Sequence, residues 1–411
     1  MAGVKYWIWL AQLKGLTGPA KQQLLDYFGS PESVYYADAE EYHLLEGMTG
    51  AQIAQLGDKS LEEANEIMGE CQRLGLRILT MQDADYPARL RNIFDPPLLL
   101  YVKGTLPLMD EEAAVAVVGT RGASPYGIAC AEKLSFGLAK QGAIVVSGAA
   151  RGIDSSAHRG ALRAGMPTVA VLGCGIDVVY PEENAWLYQD IAASGALVSE
   201  YPPGTPALGA HFPVRNRIIS GLCLAALVIE APERSGALIT ANTALEQGRD
   251  IFAVPGPIDA PNSRGCNRLI ADGAGLVSES WDILREYAPR FPGKLSEGRV
   301  ELPHRMGYQA RVEQKENAEK KLREKQEQER EERVKKEGLP ELRLREAGLT
   351  EDQETLLRAL RDGAQQVDDL IARTEIPTRR ALSALTMLEL DGYVGQENGK
   401  LFSLKVKLVE E

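Results

Sequence analysis

Paired cysteines, long apolar runs, histidine and, through the middle of the chain, lysine are what this sequence lacks. Its five cysteines, Cys71, Cys130, Cys174, Cys223 and Cys266, are scattered without a Cys-x-x-Cys spacing and fall mostly inside apolar runs. That usage fits reduced core thiols rather than a disulfide framework or a zinc site, and it points to the cytoplasm. No run approaches the roughly 18 consecutive apolar residues that a membrane span requires, and the opening MAGVKYWIWLAQLKG has no signal-peptide cleavage pattern. Four histidines form no metal-ligating cluster, and neither a Walker A loop nor a Ser-His-Asp elbow is present. Those enzyme classes drop out, and no cofactor or metal is expected.

The 411 residues carry a net charge of −12, which excludes a uniformly basic nucleic-acid binder. Yet between Gln141 and Gly293 there is no lysine, and all the side-chain positive charge is arginine: Arg151, Arg159, Arg163, Arg215, Arg217, Arg234, Arg249, Arg264 and Arg268, with Arg285 and Arg290 near the end. A guanidinium fork suits phosphates and base edges and stacks on rings. The plainer reading is an arginine-favouring genome, although 315–336 uses lysine freely.

Length allows two or three domains. Residues 1–75 read as short helices with a weak internal repeat, Gly15-Leu-Thr-Gly18 returning as Gly47-Met-Thr-Gly50. Tandem helix-hairpin-helix units, which offer backbone N–H groups to phosphates, look like this; so does a small helical bundle that only packs or binds protein. Residues 76–112 connect onward, with Pro96-Pro97 leading LLLYV into an edge strand. From 113 to 290 short apolar runs alternate with helical patterns, the mark of an α/β doubly wound parallel sheet. Strands are expected at 114–119, 143–147, 168–173, 196–200, 225–230, 251–256 and 275–279, and their carboxyl ends share one rim, where ligands bind in such sheets. Residues 291–346 form a linker whose part from 309 to 338 reads as a solvated charged helix acting as a spacer. Residues 347–411 give helix, turn, helix and two strands, a winged-helix layout, with Thr350 as N-cap and Pro377 at N1. Its second helix offers only Arg379 and Arg380, so DNA and protein partners stay equally open.

The stretch His211–Ala241 concentrates the signals: an Arg-Asn-Arg cluster, an apolar run, the polar turn 230–236 and a helix start near Ala237. Strand, small turn and helix in that order build anion sites, because free backbone N–H groups face the turn. Three more segments fall on the rim. Val118–Gly127 matches Gly-x-Gly-x-x-Gly poorly and lacks an acidic ribose partner, so a dinucleotide is not expected. Ser147–His158 has small residues that let the backbone approach a ligand, with Asp154 able to cap the next helix. Gly173–Asn184, with Tyr180 and Pro181, reads as a structural turn. Asn216, Asp154 and Glu230 serve equally well as caps or buried hydrogen-bond partners, and His158 reads as a satisfied buried side chain.

Six ordered motifs, GTR at 119–121, SGAARGIDSSAH at 147–158, GCGIDVVYPEEN at 173–184, FPVRNRIISGL at 212–222, ERSGALITA at 233–241 and VPGPIDAPNSRGCNRLIADGA at 254–274, resemble the DNA-processing protein A family, also called Smf. The resemblance covers nearly the whole chain. It implies an extended Rossmann-like core that forms a homodimer, binds single-stranded DNA without catalysis, and helps load a RecA-class recombinase during transformation. Carried over by position, the DNA pocket falls on Arg121, Ser147, Gly148, Arg151, Phe212, Arg215, Asn216, Arg217, Ser235 and Gly236. In that pocket the arginines neutralise phosphates, Gly148 and Gly236 donate backbone N–H groups, and Phe212 stacks a base. Gly122, Ala237 and Cys223 stand where lysine, serine and serine are common in the family, each losing a charge or a hydroxyl. The competing enzyme reading is a nucleotide phosphoribohydrolase of the Lonely-guy type, whose Pro-Gly-Gly-x-Gly-Thr-x-x-Glu loop Arg234–Thr240 and Glu246 echo only loosely; a scaffold acting through its end domains is a third.

Overall fold

β-Branched runs too apolar to face water build the centre of the molecule. A computed structural model describes residues 3–298, 341–344, 348–397 and 401–409. Nine strands form one sheet: β1 (Arg77–Thr80), β2 (Leu99–Gly104), β3 (Ala114–Val118), β4 (Ile144–Ser147), β5 (Thr168–Leu172), β6 (Ala196–Ser199), β7 (Ala225–Val228), β8 (Asp250–Ala253) and β9 (Gly275–Leu276). Strands β3 to β7 are buried along their whole length because both faces are covered. The period of two is visible in β3, where Ala114, Ala116 and Val118 enter one hydrophobic cluster and Val115 and Val117 the other.

The strand order is β1-β2-β6-β5-β4-β3-β7-β8-β9. From β6 to β9 all neighbours are parallel, whereas β1 and β2 join antiparallel. The fold is therefore Rossmann-like and doubly wound as expected, parallel throughout the strands from 113 onward, with the earlier β1 and β2 making the whole sheet mixed. One expectation is corrected: the strand following Pro96-Pro97 is not at the edge. β2 lies between β6 and β1, with Arg77 opposite Val102 and Thr80 opposite Leu99. The short, arginine-led β1 carries too little periodicity to announce itself, and it takes the edge position.

Between strands run α8 (Pro125–Lys140), α9 (Ile153–Arg163), α10 (Ala185–Ser194), α11 (His211–Gly221), α12 (Gly236–Glu246) and α13 (Arg264–Ala271), preceded by α1 (Val4–Gln12), α2 (Gly18–Phe28), α3 (Pro31–Tyr36), α4 (Ala39–Tyr42), α5 (Gly50–Leu56), α6 (Glu62–Leu74) and the short α7 (Ala88–Arg91). The chain leaves β3 toward β4 but leaves β7 toward β8, so the connections diverge at the carboxyl ends of β3 and β7 and open a crevice there.

The repeat seen in sequence is a repeat in geometry. Gly15 and Gly47 take φ of 78° and 83°, and Thr17 and Thr49 cap α2 and α5 through Ala20 N and Gln52 N. Ile8 of α1, Leu24 of α2 and Leu56 of α5 share one core with Leu99 and Tyr101 of the sheet.

Residues 1–301 form one compact unit and 302–411 another. In the second, helices Glu351–Ala359, Val367–Thr374 and Thr378–Leu390 pack with a three-stranded sheet of Gln365–Gln366, Leu401–Leu404 and Val394–Glu397. This is the expected winged helix. Thr350 caps its first helix with Gln353 reciprocating, while Pro377 stands at the N-cap, one residue earlier than expected. Arg380 is bonded to Asp352 at 2.8 Å, and both it and Arg379 are exposed at that helix start. The charged spacer helix expected at 309–338 lies outside the described residues.

Candidate functional site

β4 ends in Ser147, whose hydroxyl donates to Val117 O at 2.6 Å and is wholly buried. The chain then turns sharply: Ala149 takes φ of 53°, an uncommon conformation for a residue with a Cβ, and its carbonyl accepts from Asn184 Nδ2 at 3.0 Å. Gly148 leaves space that nothing larger could occupy. A Cβ there would lie 2.5 Å from both terminal nitrogens of Arg215 and 2.6 Å from Asp154 Oδ2.

Arg215 and Asp154 make the floor of the crevice. Arg215 is 3% exposed; its Nη1 donates to Gly148 O at 2.9 Å and to Val171 O, and its Nε finds no partner among the described residues. Burial lowers the guanidinium pKa while the Asp154 charge opposes that, and burial likewise raises the Asp154 carboxyl against the pull of Arg215. Asp154 is the second residue of α9 and accepts from Ala150 N at 3.4 Å, so it braces the turn before the helix.

Above this floor lies an aromatic and cationic layer. Phe212, half-buried in the first turn of α11, has the Arg121 guanidinium 4.9 Å and the Arg215 guanidinium 5.8 Å from its ring centre. The Tyr180 ring lies 5.4 Å away, tilted by 41°, and is 40% exposed. Arg121 itself is exposed on the β3 turn. Arg151 is exposed and paired with Glu183 at 2.5 Å, a contact that holds it only weakly at such exposure.

Two expected contacts have internal partners. Arg217 donates to Glu200 at 2.7 Å and to Asp95 at 3.1 Å with its side chain 14% exposed. Burial opposes its charge, but Glu200 and Asp95 outweigh burial and hold its pKa above the ordinary value. Ser147, as described, points into the sheet. Asn216 is half-buried on α11. On the next strand end, Ser235 precedes α12 with a buried Oγ that has no partner among the described residues, and Gly236 faces open space. The structure thus brings Arg121, Gly148, Phe212 and Arg215 together, sets Arg151, Ser235 and Gly236 on the same rim, and commits Ser147 and Arg217 to the scaffold.

One residue gains an importance that sequence did not give it, and another takes a buried hydrogen-bonding role that the sequence had left open. Tyr180 is part of the aromatic layer rather than only a turn. Glu230, 3% exposed, accepts from Ser124 Oγ at 2.5 Å and from Ser124 N at 2.9 Å, so a carboxylate of the chain itself fills the start of α8 at the crevice. His158 bonds Thr168 through Nδ1 at 2.8 Å, while its Nε2 is buried without a partner among the described residues. Among those residues no group of three His, Cys, Asp or Glu is placed to hold a metal, and no helix is long and apolar enough to cross a membrane.

Fold and rim together define a doubly wound α/β protein whose strand ends carry arginines and aromatic rings around small-residue turns. Residues 77–288 match the family described as DNA recombination-mediator protein A, and residues 340–400 match the DprA winged helix domain. Protein Smf of Synechocystis is 38% identical over 283 residues, 68% of this chain and 71% of that protein. DNA processing protein DprA of Streptococcus pneumoniae is 47% identical over 205 residues, 50% of this chain and 72% of its own. The X-ray structure of DprA from Streptococcus pneumoniae superposes with a TM-score of 0.62 at 37% identity, covering 69% of this chain and 97% of that one. The chain belongs to the DNA recombination-mediator protein A family.

Proposed function

We propose that the chain binds single-stranded DNA across the carboxyl rim of the sheet, without catalysis, and as a cytoplasmic homodimer helps load a RecA-class recombinase onto that strand. The observation that carries the reading is the Phe212 ring, half-buried, backed by Arg121 at 4.9 Å and accompanied by Tyr180 at 5.4 Å. A base stacks on such a platform whatever its identity, and a duplex, whose bases are already stacked, cannot use it. Phosphates on either side meet Arg121 and Arg151, and the latter leaves Glu183 at little cost because exposed ion pairs contribute about 0–1 kcal/mol. Gly148 and Ser235–Gly236 supply backbone N–H groups, Asn216 a side-chain amide, and Arg215 supports the positive potential from below. Arg217 and Ser147 hold α11 and β4 in place. Family membership supports the same reading, as does the similarity to a DNA processing protein of Streptococcus pneumoniae.

Labelled oligo-dT against duplex at two salt concentrations tests it. Single strand is expected to bind more tightly and to weaken steeply with salt, Arg121→Ala to reduce the log–log salt slope by about one, and Phe212→Ala to cost roughly 1–3 kcal/mol. Cleavage of a nucleoside monophosphate to free base, with oligo-dT ignored, refutes the proposal in favour of a phosphoribohydrolase.

A further inference from the structure

A second aromatic platform lies behind the crevice. Trp186 in the first turn of α10 is 47% exposed, with the Arg159 guanidinium of α9 5.9 Å from its ring. With Leu162, Arg163 and Asp190 these two residues line a cleft of about 360 Å³. Its wall is apolar and flat on the Trp186 and Leu162 side, and its edges are charged. Arg159 Nε is buried without a hydrogen bond among the described residues, its nearest acid being Glu132 at 3.9 Å. A ligand that suits this is planar and aromatic with polar edges, as a nucleobase is.

Topology says which base. α9 leaves β4 for β5 and α10 leaves β5 for β6, and these strands are parallel, so both helices run away from the rim in the same direction. The groove between them opens at the rim, where Arg151 meets Glu183, one helical turn before Trp186. From the start of α9 to Arg159 is six residues, about 9 Å of helix. Stacked nucleotides rising 3.4 Å each cover that in roughly three steps.

We infer that the groove between α9 and α10 is a second nucleobase seat, in which Trp186 stacks a base of the same strand that fills the Phe212 crevice. This rests on the single-stranded DNA reading above and extends it. Charge in the groove is balanced: Glu132 pairs with Arg163 at 3.1 Å and lies 3.9 Å from Arg159, Glu183 faces Arg151, and Asp190 lies in the lining. The seat therefore contributes stacking rather than counterion release, and the added affinity is nearly independent of salt.

The test is equilibrium binding of the full chain to labelled oligo-dT of increasing length, comparing wild type with Trp186→Ala and Trp186→Phe. A short oligomer that fills only the crevice is expected to bind all three alike. On longer oligomers Trp186→Ala is expected to lose affinity by roughly 5- to 150-fold, the range for one stacked base, with Trp186→Phe retaining most of it and the salt slope unchanged. Equal affinities at every length overturn the second seat while leaving the crevice reading intact, and so does an equal loss on short and long oligomers. Failure of wild type to bind the short oligomer sinks the crevice reading itself.

Discussion

Adding one methyl group at Gly148 tests whether the floor of the crevice is rigid. In Gly148→Ala the new Cβ would start 2.5 Å from the Arg215 terminal nitrogens and 2.6 Å from Asp154 Oδ2, closer than real Cβ contacts come. Neither group has somewhere to go. Arg215 is 3% exposed and held by the carbonyls of Gly148 and Val171, and Asp154 is 8% exposed. Overpacking a close-packed site costs about 1–3 kcal/mol, and disturbing a charged hydrogen bond costs about as much again, so a loss of about 3 kcal/mol is expected. For a unit of this size that lowers the melting temperature by roughly 6–12 °C. Because Arg215 also lies under the Phe212 ring, affinity for oligo-dT is expected to drop about tenfold, on the order of one weakened base stack. Gly122→Ala is the control: nothing described lies within 4 Å of its Cβ, and both readouts are expected to match wild type. Thermal unfolding and fluorescence anisotropy decide the matter. A Gly148→Ala protein that melts within 1 °C of wild type, a margin small beside the shift expected for about 1 kcal/mol, and binds equally well refutes the rigid floor.

Two further outcomes separate scaffold from contact. Arg217→Ala strips the partner from Asp95 and Glu200 and is expected to cost about 3 kcal/mol in urea unfolding while leaving the salt slope of oligo-dT binding unchanged; a slope lowered by about one, as for Arg121→Ala, would return Arg217 to the phosphate contacts. His158 gives a pH signature. Burial, aided by the Arg215 charge, holds its imidazole down at about 3, whereas the unfolded chain takes up the proton near the ordinary value of 6.5. The folded state therefore keeps its full stability above pH 6.5 and loses about 1.4 kcal/mol per pH unit as pH falls toward 3. Urea unfolding at pH 7 and pH 5 is expected to show that loss in wild type and a smaller one in His158→Gln; identical losses would exclude His158 as the source.

Much of the core was legible because fully buried parallel strands leave unmistakable apolar runs. All seven expected strands from Ala114 onward appear; six end one to three residues early, where the run passes from sheet into rim, while β4 keeps its expected end and starts one residue later. What could not be read is pairing across distance. Arg217 looks like a phosphate contact in its Arg-Asn-Arg setting, and only the fold brings Asp95 and Glu200 to it. Arg215 differs from Arg217 by two positions, yet a helix rotates the two side chains by about 200° relative to each other, so one enters the floor and the other an ion-pair network. Tyr180 reads as a turn residue because its neighbours are turn residues; its ring reaches Phe212 only through the way β5 and α11 meet. The antiparallel β1 escaped for the opposite reason, being too short and too charged at its start to show a pattern.

The contact made by Glu230 bears on competition. A doubly wound sheet with an open switch point also offers its helix starts to free mononucleotides, which compete there with a strand. Here the carboxylate of Glu230 already sits at the start of α8, bonded to the hydroxyl and backbone N–H of Ser124. That position repels a phosphate dianion instead of gathering it. On the proposed single-stranded DNA reading, preference for a polymer begins with one seat kept shut, so that what remains on the rim suits a ligand long enough to reach several places at once.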